Sequence, residues 1–347
     1  MLLLCMVMVE GRSSPNGGGL NVLDFGAVGN GQTDDSQVFG KIMAPSKKNF
    51  HSGTKEWLTF DSVNGLIVNG NGDIDGYGSS WWGSCDNGNE CSGRPTALKF
   101  NNCNYLQVSG VSITNAQHNH ISLSNCADVT IFNIKITAPD NTPNTDGIDI
   151  SHSTRVQIQN SDIGTGDDCI AINTGCSYIN ITGINCGPGH GISIGSLGED
   201  HSEGIVEEVH VVGCTFTGTQ NGARIKTWQG GSGYVRKVSF KDITLYDSMN
   251  PILIDQYYCD DKECKNQTSA VSISDVSFIG FTGTSATEAA VQLLCSKSVG
   301  CDGILLDRIN ITTSHKQSTE DKVFSECINA HGTSSGSNIP NVPCLLH

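Results

Sequence analysis

The sequence predicts an all-β chain wound as a parallel β-helix, a solenoid of short stacked strands, and three observations carry that prediction. The composition favours strands and turns over helices. Short β-branched triads recur along most of the chain. A second apolar alternation, and no helical period, follows most of them.

The composition comes first. The chain has 347 residues with 41 glycines, 9 prolines and only 16% charged residues. Thr, Ser, Asn, Val and Ile are abundant, and runs of Ala, Leu, Glu and Lys at helical spacing are absent, as in a turn-rich β protein. The glycines follow no three-residue period and prolines are few, which excludes collagen-like and disordered chains. Length alone allows one large domain or two.

The triads run Leu66-Ile-Val68, Leu106-Gln-Val108, Val129-Thr-Ile131, Val156-Gln-Ile158, Ile179-Asn-Ile181, Val209-His-Val211, Val238-Ser-Phe240, Val276-Ser-Phe278 and Ile304-Leu-Leu306, with starts 23 to 40 residues apart. Alternations such as Val111-Ser-Ile113 and Ile134-Lys-Ile136 follow them after a polar turn. Each repeat therefore holds several strands of period two. A unit this small cannot bury its own apolar face, so it must stack on its neighbours. A propeller is the structural alternative, but its blades are longer and need hairpin turns that are few here.

A formal charge of −15 without any Lys/Arg run excludes the basic face that nucleic acid requires. No later segment approaches the length of a membrane span, so no membrane partner is expected. Fifteen cysteines point to an oxidising compartment. The apolar stretch from Leu2 to Val9 contains Cys5 and reads as part of a leader over residues 1–18, followed by a single β-helix catalytic domain over 19–347. Fourteen cysteines then remain, an even number compatible with disulfides. Sequons at Asn180, Asn266 and Asn310 fit a secreted glycoprotein.

Three segments align without gaps on the strand that follows each: Asn144-Thr-Asp146-Gly-Ile-Asp-Ile150, Gly166-Asp-Asp168-Cys-Ile-Ala-Ile172 and Pro188-Gly-His190-Gly-Ile-Ser-Ile194, offset by 22 residues both times. Equivalent positions on successive coils lie roughly 4.8 Å apart. Asp146, Asp168 and His190 would form a ladder on one face, with Asp167 beside Asp168. Two coils later, Arg224 and Lys226 flank an inward Ile225 and project to one face. Carboxylates facing cations suit cleavage of an acidic sugar chain: one carboxyl stays protonated to donate, another ionises to activate water, and the cations hold the sugar carboxylate. Taken singly, each residue has an ordinary structural explanation; in register, the ordinary account needs several coincidences. Gly76-Tyr-Gly78 lacks the rest of a dinucleotide fingerprint. His118 and His120 could ligate metal but have no obvious carboxylate companion, and neither metal nor cofactor is expected.

These motifs resemble the signature of polygalacturonases, pectin-degrading glycoside hydrolases of family 28, and of plant members in particular. The matching stretches are Asn144-Thr-Asp146, Gly166-Asp-Asp-Cys169, Gly189-His-Gly191 with Ile192-Ser-Ile-Gly-Ser196, Arg224-Ile-Lys226, Asp24-Phe-Gly-Ala27, and Asn250-Pro-Ile-Leu-Ile-Asp-Gln256 with Tyr258. The resemblance implies a right-handed parallel β-helix and inverting hydrolysis of α-1,4 bonds between galacturonic acid residues of pectin. It implies Asp167 as general acid, Asp146 and Asp168 as activators of water, His190 tuning the acid, and Arg224, Lys226 and Tyr258 binding galacturonate. It further implies disulfides Cys169–Cys186, Cys259–Cys264, Cys295–Cys301 and Cys327–Cys344, and a monomer acting outside the cell on the wall. The alternatives are a pectate lyase, with Asp146, Asp167 and Asp168 around calcium, and a truncated pectin-binding β-helix without activity. One departure from the family stands out. Asp34-Asp-Ser-Gln-Val-Phe39 resembles the N-terminal capping helix but leads directly into Gly40-Lys-Ile-Met-Ala-Pro45, so a block of roughly fifty residues, about two repeat periods, is missing there. The first remaining coil is therefore expected to expose apolar strand surface.

Overall fold

A computed structural model describes residues 3–4, 40–50, 56–83, 93–260, 264–314 and 322–345. Between them the described strands pair in parallel, each with the strand of the next coil, as a parallel β-helix. One sheet carries everything that follows. Its ten strands lie in chain order: Glu56–Asp61, Thr96–Asn101, Ile121–Ser124, Ile148–Ser151, Ile170–Ile172, Ile192–Leu197, Asn221–Trp228, Asn250–Tyr258, Ala289–Leu294 and Phe324–Ile328.

Period-two alternation turns each of these strands into a two-sided element, and the register stacks like on like. Ile121, Ile148, Ile170, Ile192, Ala223, Ile252 and Val291 form one inward column. Leu123, Ile150, Ile172, Ile194, Ile225, Ile254 and Leu293 form the next, and all are buried. Each Ile, Leu or Val among them contributes about 1.5–3 kcal/mol by leaving water. Phe240 stacks on Phe278 with ring centroids 5.8 Å apart. The residues between the inward columns face outward, and on this sheet they make the floor of the cleft described below.

Each coil turns its corner just before a triad, and there the backbone takes a left-handed conformation. Tyr105, Asp128, Arg155, Tyr178, Glu208, Lys237 and Asp275 all have φ between 53° and 58° at this one position. Side chains of such different types share the conformation because the stacked strands on both sides over-determine it.

The four disulfides implied by the resemblance are all formed. The even cysteine count misled elsewhere: Cys103, Cys126, Cys176 and Cys214 are buried thiols. Two of them sit in a turn column. The Cys103 N–H donates to Cys126 Sγ at 3.4 Å, and the Cys126 N–H donates to Ser153 Oγ at 3.0 Å, so sulfur fills a rung that hydroxyl fills one coil on. Burial pushes the Cys176 thiol up to about 12 and Cys214 to about 11, which leaves both unreactive.

Residues 24–39, with the capping-helix resemblance, lie outside the described residues, as do 1–18 apart from Leu3–Leu4, which pairs in parallel with Ile67–Val68. Lys41–Met43 is a strand on Asp73–Asp75, so the segment after the departure enters the solenoid directly.

Candidate active site

The 22-residue offset is a structural register. Ile148 pairs with Ile170 and Ile170 with Ile192, so Asp146, Asp168 and His190, each two residues earlier, occupy one position on three successive coils. The Asn221–Trp228 strand pairs directly with Ile192–Leu197, one coil nearer than the sequence reading placed it. Gly166 permits the tight approach before the paired aspartates, since a Cβ there would lie 2.2 Å from the Thr142 carbonyl oxygen. The Cys169–Cys186 bridge anchors the turn on its other side.

The two adjacent aspartates have opposite surroundings. Asp168 is buried: Arg224 Nη2 donates to its Oδ1 at 2.6 Å, Lys226 Nζ to its Oδ2 at 3.1 Å, and Ser193 Oγ to Oδ1 at 2.7 Å. Arg224 Nε is also held by Ser193 Oγ, at 2.9 Å. Asp167 is half-buried, with His190 Nδ1 3.0 Å from its Oδ1 and the Asn144 amide 3.4 Å from its Oδ2. Lys226 Nζ lies 5.3 Å from the centre of the Tyr258 ring, and burial pushes the Tyr258 phenol up to about 12, so it stays a hydrogen-bond donor. All seven residues singled out from the sequence line or contact one cleft of about 460 Å³.

This arrangement sorts the protons. Burial raises Asp146 well above the ordinary aspartate value of 3.8, and the charges of Asp167, Asp168 and Asp149 raise it further, which favours its protonated form. Burial also works to raise Asp167, but the His190 hydrogen bond and charge, then Lys226, bring it down to about 2. A proton on the Asp146/Asp167 pair therefore favours Asp146. Asp167, Asp168 and His190 have ligand atoms within 4.8 Å of one another, close enough to hold a cation. Yet Arg224 and Lys226 already occupy both oxygens of Asp168, and His190 one oxygen of Asp167, which makes the set poor for calcium.

Sequence reasoning missed Ser193, Asn173, Asp149 and Arg94. Ser193 and Asp149 lie in the same outward column as Arg224, one and three coils before it. Asp149 accepts from Asn173 Nδ2 at 2.8 Å, and burial pushes it up to about 6. A raised acid stabilises the fold through its protonated form, fully below the unfolded value near 3.8 and progressively less as pH rises through about 6. Asp149→Asn should therefore raise the melting temperature above that of the wild type at pH 7, with the gain gone at pH 4. An equal gain at both pH values would contradict the assignment.

The model of glycosyl hydrolases family 28 matches residues 24–337. A probable polygalacturonase of Arabidopsis thaliana is 43% identical, with 94% of this chain and 80% of that protein covered. The polygalacturonase of Persea americana is 41% identical over 84% of this chain and 73% of its own length. Among solved structures, a polygalacturonase from Erwinia carotovora, a right-handed β-helix, superposes with a TM-score of 0.70 at 25% identity, covering 86% of this chain and 81% of that one. The Arabidopsis alignment runs over 374 positions against 94% of 347 residues, so the relative carries residues within the aligned span that this chain lacks. With the motifs in order, the acid ladder in register and relatives matched over most of their length, the chain belongs to glycosyl hydrolases family 28.

Proposed function

We propose that this chain hydrolyses the α-1,4 bonds between galacturonic acid residues of polygalacturonate and pectin, with inversion at the anomeric carbon. The observation that carries this reading is the stacked Asp146/Asp167/Asp168 cluster, whose surroundings favour a protonated Asp146 and which faces Arg224 and Lys226. As the bound sugar carboxylate offsets the cations, the proton favoured on Asp146 moves to Asp167, which donates it to the glycosidic oxygen as the C–O bond to the anomeric carbon breaks. Asp146 and Asp168 orient a water on the opposite face and take its proton as it attacks, so one proton leaves the acid and one reaches the base. His190, bonded to Asp167, tunes the acid. Lys226, Arg224 and Tyr258 hold the sugar carboxylate, whose charge offsets the two cations and so raises the proton affinity of Asp167 at the moment it must act as an acid. Action outside the cell, as one β-helix domain, fits the four disulfides and the relatives' substrate.

Reducing ends released from polygalacturonate, measured with and without EDTA beside the absorbance of unsaturated uronide, test the reaction class. Reducing ends without that absorbance, unaffected by EDTA, are expected. An EDTA-sensitive unsaturated product would make the chain a lyase, and no product would make it a binding protein. NMR of the first-formed anomer reads the inversion.

A further inference from the structure

Arg94 is a buried cation that the mechanism does not use. It stands at the head of the Thr96–Asn101 strand, two coils before the Ile148–Ser151 strand, and is only 5% exposed. Its Nη1 donates to the Gln117 carbonyl at 3.1 Å and to the Pro143 carbonyl, and its Nη2 donates to Asn144 Oδ1 at 2.8 Å. The charges of Asp167 and Asp146 act on its guanidinium. The last bond settles the Asn144 amide. With Oδ1 turned to the guanidinium, Nδ2 faces Asp167 Oδ2 at 3.4 Å; a flipped amide would set oxygen against a carboxylate.

His120 holds the same turn from beneath. Its ring is fully buried, Nε2 accepts from the Ala116 N–H at 3.3 Å, and Nδ1 lies 3.0 Å from the Asp146 carbonyl. Because Nε2 is the acceptor, the proton sits on Nδ1 and is donated to Asp146. Burial lowers this imidazole to about 4, so it is neutral, and with both ring nitrogens engaged it serves as a spacer and not as a metal ligand.

We propose that Arg94, with His120 beside it, is a positioning residue for the acid: it fixes the Asn144 amide with its N–H toward Asp167 and holds the Asn144–Asp146 turn that carries both carboxylates' spacing. The proposal rests on Asp167 being the proton donor. A planar fork is needed, since one side chain must satisfy two carbonyls and the amide oxygen, and lysine offers a point charge instead. The N–H of Asn144 favours the ionised form of Asp167, so its loss raises the pH at which the acid gives up its proton.

The test is a cycle on the full chain with polygalacturonate: wild type, Arg94→Met, Arg94→Lys, Asn144→Ala, and Arg94→Met with Asn144→Ala. Misplacing a catalytic group by about an ångström costs on the order of 100-fold. Arg94→Met is therefore expected to lose about that much kcat at nearly unchanged KM, with the alkaline limb of the kcat profile moved to higher pH. Asn144→Ala should move that limb the same way, Arg94→Lys should fall between, and the double variant should be no worse than Arg94→Met. Multiplicative losses, or an alkaline limb that stays in place, would overturn the proposal. If Arg94→Met does not fold, the exposed Asn144→Ala and the conservative Arg94→Lys decide the matter by the same limb. Asp167→Asn in the same assay separates the two readings: turnover in that variant removes the acid assignment, whereas a dead Asp167→Asn with multiplicative losses elsewhere removes only the positioning role.

Discussion

Asp167→Asn is expected to lower kcat on polygalacturonate by about 10²- to 10⁴-fold while leaving KM within a few-fold of wild type. The asparagine keeps the shape and one acceptor oxygen, so the contacts from His190 at 3.0 Å and from the Asp168 N–H at 2.8 Å have a partner in the variant. What it lacks is a transferable proton, and that is needed only as the bond breaks. Turnover within a few-fold of wild type would remove Asp167 from the role.

Loss alone does not distinguish an acid from a base, and in the free site burial and the charges of Asp167, Asp168 and Asp149 favour the protonated form of Asp146, whereas the His190 hydrogen bond and charge bring Asp167 down. A substrate with a good leaving group, such as a galacturonosyl fluoride, needs little protonation of the departing atom. It should restore most of the activity of Asp167→Asn and little of that of Asp146→Asn. The reverse pattern would assign the acid to Asp146.

The parts of this molecule that were legible in its sequence are those that the solenoid repeats. Asp146, Asp168 and His190 could be set in one column because the strands after them have identical alternation and spacing, and stacked coils turn sequence offset into position. The inward face of Ile225, and with it the shared direction of Arg224 and Lys226, followed from period two alone. The corners were not legible, since tyrosine, arginine, lysine and aspartate carry no common sign of a left-handed φ. Nor was Arg94, which sits in an unrepeated segment 50 residues from Asn144; an isolated arginine has no period to betray its partner. The distribution of protons between Asp146 and Asp167 depends on which neighbours each side chain meets, and alignment of motifs does not carry that.

Arg224→Ala is expected to destabilise the fold as well as the complex with galacturonate. Arg224 and Lys226 do not stand free for the sugar carboxylate: without substrate both bind Asp168, with side-chain exposures of 9% and 11% against 2% for the aspartate. Removing one partner of a buried pair leaves a charge poorly compensated, which costs about 3–5 kcal/mol. Arg224 supplies the shorter contact, 2.6 Å against 3.1 Å, and also holds Ser193, so its loss should lower the melting temperature more than Lys226→Ala does. Binding should divide the other way. Lys226 reaches both Asp168 and the face of Tyr258, and the triad of one carboxylate and two cations keeps a net positive charge for the incoming sugar. Lys226→Ala should therefore weaken binding of galacturonate oligomers and flatten its dependence on salt, with a smaller cost to stability. Thermal unfolding and oligomer titrations at two salt concentrations, carried out on both variants in an Asp167→Asn background so that substrate is not consumed, separate the effects. An Arg224→Ala protein that melts with its parent would mean that Lys226 and Ser193 suffice for Asp168, and unchanged affinity in both variants would place the sugar carboxylate elsewhere in the cleft.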